Sequence, residues 1–220
     1  MQRTIGRIRQ GRCPSTLQIL DCLTATTLPG NPLQTTLPEE VGLWPEELRL
    51  RVTQNLTAAG VLIPIIERAD NLSVLFTRRS AHLRYHAGQV SFPGGRMEPG
   101  DADILATALR ETREEVGIDA QHVRIAGFLP PLPIVSGYAV TPVVGLVSGD
   151  TPHIADPAEV ERIFEVPLEF LLDPANQQRS MREVMGVQVP VCEFHYASER
   201  IWGATASILL RLRTALDNSL

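Results

Sequence analysis

The 220-residue sequence contains no lysine, because all 20 of its basic residues are arginine. Enzymes that form a Schiff base through a lysine amine, including those that use pyridoxal phosphate, are therefore excluded. The same absence excludes nucleotide-binding loops of the G-x-x-x-x-G-K-[ST] type and protein kinases. The 25 acidic residues give a net charge of −5, so no overall positive field draws the chain to nucleic acid or to an anionic membrane. Any polyanionic ligand must be bound by local groups.

Cysteine and long apolar runs are also scarce. Cys13, Cys22 and Cys192 show no C-x-x-C or zinc-site spacing, which favours a reducing compartment, and we predict a cytoplasmic location. No apolar run approaches the ~20 residues of a membrane-spanning helix. The basic N-terminus resembles a transit peptide, but it lacks a sustained apolar stripe and is interpreted as a solvated arm. The sequence thus predicts a globular protein, monomer or homodimer, with no membrane and no nucleic-acid partner.

Residue patterns divide the chain into an arm and one domain. Residues 1–42, rich in Thr, Pro and Leu, are predicted to form an extended or partly helical arm, and residues 43–220 a single domain. A helix is predicted over about Pro45–Leu56, and a β-hairpin from the apolar runs Val61–Ile66 and Ser73–Thr77. This mixed order predicts an α/β sandwich. The other predicted elements are strands near Gln89–Phe92, Arg124–Leu129 and Val140–Val147, short β/α alternations over Phe164–Leu172 and Val184–Phe194, and a last helix over about Trp202–Leu216.

Residues 92–118, FPGGRMEPGDADILATALRETREEVGI, contain a well-bounded helix. Asp101 or Asp103 can cap its start and Gly117 suits the left-handed position at its end, which predicts a helix over about Ala102–Val116. At about 100° per residue, one side of this helix is apolar and is predicted to be buried. That stripe comprises Leu105, Leu109, Thr112 and Val116.

Three carboxylates occupy another face of the same helix, and we predict that this face points away from the apolar stripe. Glu111, Glu114 and Glu115 are spaced i, i+3 and i, i+4, so they repel one another and raise one another's pKa unless a cation neutralises them. A hard divalent ion such as Mg²⁺ takes oxygen ligands and shares them with substrate phosphates. The functional interpretation is a platform for Mg²⁺ or Mn²⁺, and the alternative is a solvated acidic face with intrahelical arginine pairs.

The run Arg110-Glu111-Thr112-Arg113-Glu114-Glu115-Val116-Gly117-Ile118 resembles the second half of the Nudix box, G-x5-E-x7-R-E-U-x-E-E-x-G-U, where U is a bulky apolar residue. The first half departs from the pattern, because Arg96 stands where the box has Gly and Ala102 where it has Glu. The nearest matching residues, Gly95 and Asp101, are each displaced by one position. Glu98 is a second possible outer acid.

The resemblance implies a Nudix-like α/β/α sandwich with a mixed β-sheet, in which residues 43–220 form one Nudix hydrolase domain and the box forms a loop-helix-loop. It also implies that Glu111, Glu114 and Glu115 bind the divalent ions, with help from the backbone of Gly95. Arg110 would hold a carboxylate of the motif in place. In this family the general base lies on the box helix or on a later loop, and the resemblance makes Glu159 and Glu161 possible distal bases.

The segment before the box, residues 75–95, resembles the additional signature of the coenzyme A subgroup, L-L-T-x-R-S-x-x-L-R-x-H-x-G-Q-V-x-F-P-G-G. Phe76 replaces the second Leu of that signature. Guanidinium groups pair bidentately with phosphate oxygens, so the arginines of this segment are suitable phosphate donors. The predicted substrate-binding residues are Arg79, Arg84, His86, Gln89 and Arg96.

Together the two motifs predict metal-dependent hydrolysis of CoA to 3′,5′-ADP and 4′-phosphopantetheine, with acyl- or oxidised CoA as further substrates. One alternative is a Nudix pyrophosphatase for another nucleoside diphosphate derivative, such as ADP-ribose, NADH or capped RNA. Another is a catalytically silent Nudix module that binds nucleotides.

Overall fold

Two long apolar strands form the centre of the main sheet in the computed structural model, which describes residues 13–83 and 86–218. Strands β1 (Thr57–Glu67) and β7 (Tyr138–Ser148) run parallel, with Thr57 opposite Tyr138 and Glu67 opposite Ser148. Their near-continuous Val, Ile and Leu content is typical of strands that are covered on both faces.

The other strands of this sheet are mostly antiparallel to their neighbours. Strand β2 (Leu72–Arg79) returns beside β1, which confirms the predicted hairpin. The other end of β1 pairs with β4 (Gly94–Arg96), with Gly60 opposite Gly95. The mixed sheet predicted from sequence is therefore confirmed. Its remaining strands are β3 (Val90–Ser91) and β8 (Val160–Pro167), both on β2, and β5 (Val123–Phe128) and β6 (Leu132–Ile134), both on β7.

Helices cover both faces of the main sheet. Helix α4 (Ile104–Val116) packs on one face, where Val116 contacts a cluster with Ile66 and Leu75. The opposite face carries α1 (Thr16–Leu23), α5 (Leu168–Leu172) and α6 (Ala204–Asn218), whose apolar residues join one core with alternate residues of β1. This arrangement is the predicted α/β/α sandwich. None of the described helices is long and apolar enough to cross a membrane.

The described part of the predicted arm, residues 13–42, contains two helices. Ser15 caps α1 and shares a reciprocal capping box with Gln18. Ile19 and Leu23 of this helix have no exposed surface and lie in the main core. The short helix α2 (Glu39–Gly42) follows, and its Val41 packs with Trp44 in a smaller cluster. The boundary between arm and domain at residue 42 stays a prediction.

A second sheet contains three antiparallel strands, β9 (Gln177–Val184), β10 (Val187–Tyr196) and β11 (Glu199–Trp202). The β/α alternation predicted over Val184–Phe194 is wrong, because Met185 and Gly186 both have positive φ and turn β9 directly into β10. The last helix starts at Ala204 rather than near Trp202, since Trp202 still belongs to β11. Helix α3 (Glu46–Val52) is shorter than predicted and ends before Leu56.

Candidate active site

Helix α4 is bounded by local signals that the sequence contains. The Asp103 side chain caps its start by accepting a hydrogen bond from the Ala106 amide at 2.8 Å. Gly117 ends it with φ of 72°, in the left-handed region that a residue with a side chain rarely adopts. The helix therefore begins at Ile104, two residues later than predicted, and ends at Val116 as predicted.

The buried face of α4 differs from the predicted stripe. Leu105 and Leu109 are only half-buried, whereas Ile104, Ala108 and Glu115 are buried. The cause is a close approach of the helix to Gly60 of β1, where a Cβ atom would lie 2.6 Å from the Ile104 carbonyl oxygen. This contact fixes the rotation of α4, so Glu115 faces the protein interior instead of pointing away from the core.

Arg110 connects the acidic residues at the start and on the outer face of α4. Its Nε and Nη2 atoms donate to the two carboxylate oxygens of Asp101 at 3.0 and 3.1 Å. Its Nη1 donates to Glu111 at 2.8 Å and to Glu114 at 2.9 Å, and its Nη2 also reaches the Arg96 carbonyl. This planar side chain thereby holds three carboxylates in one arrangement.

Asp101 is the outer acid that the structure connects to this network. Besides Arg110, its carboxylate accepts hydrogen bonds from the Thr107 hydroxyl and from the Glu98 amide, both at 2.9 Å. The Arg110 hydrogen bonds are the main cause that lowers the pKa of Asp101 to about 2. Glu98, the other possible outer acid, is half-exposed and lies 3.7 Å from Arg96.

The Gly94–Arg96 strand lies directly against the carboxylate helix. A Cβ atom on Gly95 would lie 2.5 Å from Cδ of Glu111, so a side chain at this position would displace the carboxylate that Arg110 holds. Burial of Glu111 raises its pKa despite the Arg110 contact. The backbone at Gly95 and the Glu111 carboxylate are thus neighbours, as the metal-site prediction requires.

Glu115 is the least compensated charge of the site. Its side chain is 3% exposed, and its charged partner is Arg79, whose Nη1 lies 3.4 Å from Oε1. The second oxygen, Oε2, is buried and has no hydrogen-bond partner among the residues that the structure describes. Desolvation raises the pKa of Glu115 to about 8, in spite of the opposing effect of Arg79. Because its burial is not fully compensated, the ionised Glu115 carboxylate would be stabilised by a bound cation.

The two distal acids that were predicted as possible bases, Glu159 and Glu161, contact different arginines. The Nη2 atom of Arg79 lies 3.9 Å from Glu159, and the Glu159 charge raises the pKa of both Glu111 and Glu115. Glu161 instead lies 3.4 Å from Arg78. Because consecutive residues of a strand point to opposite faces, Arg78 and Glu161 lie on the other side of β2. The structure therefore brings Glu159, and not Glu161, to the site.

The other predicted substrate-binding residues lie around the β2–β3 connection. His86 has a positive φ of 57°, and its Nδ1 lies 3.0 Å from the Gln89 amide oxygen. The Gln89 carbonyl accepts a hydrogen bond from the Arg79 amide at 3.0 Å. The Arg96 side chain is 63% exposed at the edge of the cluster. Arg84 lies outside the described residues.

The donor set fits a divalent ion but does not form a closed cage. Among residues 13–83 and 86–218, no group of three or more His, Cys, Asp or Glu side chains converges in metal-binding geometry. Arg110 holds Glu111 and Glu114, and Arg79 lies beside Glu115. The Glu115 Oε2 atom, which has no partner among these residues, and the Glu111 carboxylate beside Gly95 are oxygen donors of the kind that hard divalent ions take.

Two residues of this site carry no signal in the sequence. Thr107 supports Asp101, and the Asp156 amide donates at 3.0 Å to the Glu115 carbonyl, which docks the loop before β8 on the end of α4. Both contacts depend on how the helix lies on the sheet, and no residue spacing could have revealed them.

Comparison with known proteins agrees with this geometry. A sequence model of the NUDIX domain matches residues 56–186, more than half of the chain. The chain therefore belongs to the Nudix hydrolase family, which makes it an enzyme of the class that acts on diphosphate anhydrides of nucleoside derivatives with divalent metal ions.

Relatives within this family are similar over most of the chain. An uncharacterized Nudix hydrolase, NudL, of Photorhabdus laumondii is 46% identical over 162 residues, which cover 74% of this chain and 86% of the relative. An uncharacterized NudL protein of Yersinia pestis is 45% identical over 154 residues, which cover 70% of this chain and 77% of the relative. Among solved structures, a MutT/nudix family protein of Enterococcus faecalis is 16% identical, covers 91% of this chain and 74% of that chain, and has a TM-score of 0.49.

Proposed function

We propose that this protein hydrolyses the diphosphate bond of coenzyme A, and also of acyl- or oxidised CoA, to 3′,5′-ADP and 4′-phosphopantetheine. The observation that carries the proposal is the contact between Arg79 and Glu115 at 3.4 Å. Arg79 belongs to the segment that resembles the CoA signature, and Glu115 belongs to the Nudix helix. The residues proposed to bind CoA are therefore adjacent to those proposed to act on its diphosphate.

In this proposal Glu111, Glu114 and Glu115, with the Gly95 backbone, hold Mg²⁺ or Mn²⁺. When bound, such an ion neutralises charge on the diphosphate and lowers the pKa of the attacking water. Arg110 keeps Glu111 and Glu114 in position, and Asp101 fixes Arg110 through two hydrogen bonds. In this proposal Asp101 and Arg110 orient the carboxylates that bind the metal ion.

We propose Glu159 as the group that accepts the proton of the attacking water. Its side chain is 51% exposed and lies beside Arg79, on the same side of the sheet as Glu115. A carboxylate in contact with solvent can pass the proton on after each turnover. Glu159→Gln should then lower kcat on the order of 100-fold. Glu161→Gln is the matched control, because it removes the same charge on the opposite face, and it should retain wild-type kcat.

Phosphate groups of CoA would be bound by the donors near the β2–β3 connection. These are Arg79, Arg84, His86, Gln89 and Arg96. Charge-assisted hydrogen bonds from arginine to phosphate are stronger than neutral ones, so this part of the site would position a substrate that carries three phosphate groups. A cytoplasmic location, where CoA is available, is part of the same proposal.

A substrate panel tests the proposal. Purified protein is incubated with CoA, ADP-ribose, NADH or capped RNA in the presence of Mg²⁺ or Mn²⁺, and the products are separated by chromatography. We expect 3′,5′-ADP from CoA at the highest kcat/KM of the panel. Turnover of another compound with CoA left intact would instead identify a Nudix pyrophosphatase for that compound. Binding of nucleotides without any hydrolysis would indicate a silent module.

A further inference from the structure

A cavity lies on the face of the main sheet opposite the carboxylate helix. It has a volume of about 640 Å³ and is bounded by α2, α6, β9, β10 and the loop before β6. This size lies within the range of roughly 300–1,000 Å³ that small-molecule sites occupy. Helix α6 packs on the α1 side of the sheet and α4 on the other, so this cavity is separate from the proposed active site.

Three arginines line this cavity, which we call the arginine pocket: Arg179 of β9, and Arg211 and Arg213 of α6. Within the part of the chain that the structure describes, no carboxylate lies within 4.0 Å of any of their guanidinium groups. The two acidic lining residues are Glu39 and Glu40, and Glu40 accepts a hydrogen bond from the Ser207 hydroxyl. The pocket therefore carries more positive than negative charge.

The guanidinium groups of the arginine pocket differ in how many acceptors they have. Arg211 is held by the protein, because it donates to the Thr36 hydroxyl at 2.8 Å, to the Thr36 carbonyl at 2.5 Å and to the Pro130 carbonyl at 3.1 Å. Arg213 donates to the Gln177 side chain at 2.6 Å. Arg179 is exposed, and no described residue accepts a hydrogen bond from its side chain. An oxyanion in the pocket would give Arg179 a charge-assisted acceptor.

The remaining lining of the pocket is partly polar and partly apolar. A ligand that fills it would contact the apolar part with an uncharged body beside its anionic group, and a bare inorganic ion would leave this surface in contact with water. The larger apolar side chains of the lining are Leu37, Leu43, Leu129, Val191 and Leu210, and its uncharged polar side chains include Thr36, Gln177, Ser207 and Thr214.

We propose that the arginine pocket is a binding site for a small organic oxyanion, a phosphate or carboxylate attached to a short apolar chain. Arg179 and Arg213 bind the anionic group, and the leucine side chains contact the apolar chain. The site is independent of the diphosphate chemistry at α4.

Isothermal titration of the full-length protein in EDTA tests this site. The probes are n-butyl phosphate, butyrate, inorganic phosphate and n-butanol. We expect butyl phosphate or butyrate to bind one per chain, with the tighter of the two identifying the anionic group. Inorganic phosphate and butanol should both bind more weakly than the preferred probe, because each lacks one half of the recognised structure.

Single substitutions test whether the preferred probe binds in the arginine pocket. Arg179→Gln changes an exposed side chain and should raise the Kd of the preferred probe by about tenfold, the effect of losing one charge-assisted hydrogen bond, and Arg213→Gln by at least as much. Arg124→Gln, which removes an exposed arginine elsewhere, and Glu115→Gln should leave the Kd unchanged. Absence of saturable binding of both anions would overturn the proposal. So would wild-type affinity in the Arg179 and Arg213 variants, or equally tight binding of butanol.

Discussion

Glu115 and Glu193 are both almost fully buried, but their surroundings differ. Glu193, in the three-stranded sheet, accepts hydrogen bonds from Arg200 Nε at 2.9 Å, from Ser180 at 3.0 Å and from His195 at 3.1 Å. Its burial alone would raise its pKa, yet these donors outweigh burial and hold the pKa at about 2. Glu115 has one ion pair at 3.4 Å, a backbone contact with Gly94 and an oxygen without a partner among the described residues, and burial raises its pKa to about 8.

This difference distinguishes a carboxylate that stabilises the fold from one that takes part in the proposed reaction. A buried charge with several donors is already stabilised as an ion, and it needs nothing from outside the protein. A buried charge with too few donors is destabilised in the ionised form, and such groups concentrate at functional sites. We therefore assign Glu193 to structure and Glu115 to the proposed metal site.

The largest expected effect is on the activity of Glu115→Gln. A metal ligand contributes several kcal/mol of transition-state stabilisation, so kcat should fall by about 10³-fold. The free energy of unfolding in EDTA should stay equal or rise, because the substitution removes a buried carboxyl group that must be protonated on folding at neutral pH. Steady-state hydrolysis and urea denaturation of the same preparation measure the two quantities. An unfolded variant, or one with normal kcat, would contradict the assignment.

Glu193→Gln should show the opposite pattern. Three donors lose their charged acceptor, and the free energy of unfolding should fall by about 3 kcal/mol. The fraction that remains folded should retain wild-type kcat. Urea denaturation followed by circular dichroism gives the stability. Glu161→Gln is the control, since that side chain is 49% exposed and its loss should cost no more than about 0.5 kcal/mol.

Asp101→Asn tests the role of an active-site carboxylate whose oxygens already accept several hydrogen bonds. The substitution removes the charge that fixes Arg110, and partners of this kind are typically worth 10–100-fold in metal affinity or activity. We expect kcat/KM to fall by about 10–100-fold and the concentration of Mg²⁺ at half-maximal activity to rise. Unchanged metal dependence would show that Arg110 needs no support from Asp101.

The pH dependence of stability should have opposite signs at the two glutamates. The folded pKa of Glu115 is raised to about 8, so its contribution is most favourable below about pH 4.5 and is lost as the pH rises towards 8. The folded pKa of Glu193 is lowered to about 2, so its contribution is present above about pH 4.5 and is lost as the pH falls.

Differences in unfolding free energy between wild type and each Gln variant measure these contributions. Unfolding curves in EDTA between pH 3.5 and 8.5, conditions chosen to keep metal out of the comparison, should show the wild type losing stability relative to Glu115→Gln as the pH rises. Relative to Glu193→Gln, the wild type should lose stability as the pH falls below 4.5. If the difference in unfolding free energy between wild type and variant did not change with pH for either variant, the proposed distinction between the two carboxylates would be wrong.

Local signals made much of the fold predictable from the sequence. The apolar runs of β1 and β2, with a turn between them, predicted the hairpin, and Gly117 predicted the end of α4. These elements follow from residues that are neighbours in the chain. The mixed order of these elements predicted an α/β sandwich, and the Nudix resemblance specified its α/β/α form.

The detailed site was less predictable, because it depends on packing between distant segments. Gly60 fixes the rotation of α4, and that rotation buries Glu115, which the helical spacing had placed away from the core. The pairing of Arg79 with Glu115 likewise depends on where β2 ends relative to α4. The arginine pocket is formed by α2, α6 and the second sheet, and no sequence motif predicts that these elements come together.

Binding of Mn²⁺ tests the central claim, that the buried carboxylate Glu115 is held ready for a metal ion. Electron paramagnetic resonance of free Mn²⁺ gives the Kd for the wild type, for Glu115→Gln and for the control Glu161→Gln, without substrate. We expect the wild type and the control to bind Mn²⁺ equally, and Glu115→Gln to bind at least about tenfold more weakly. Equal affinity in all three proteins would contradict the claim.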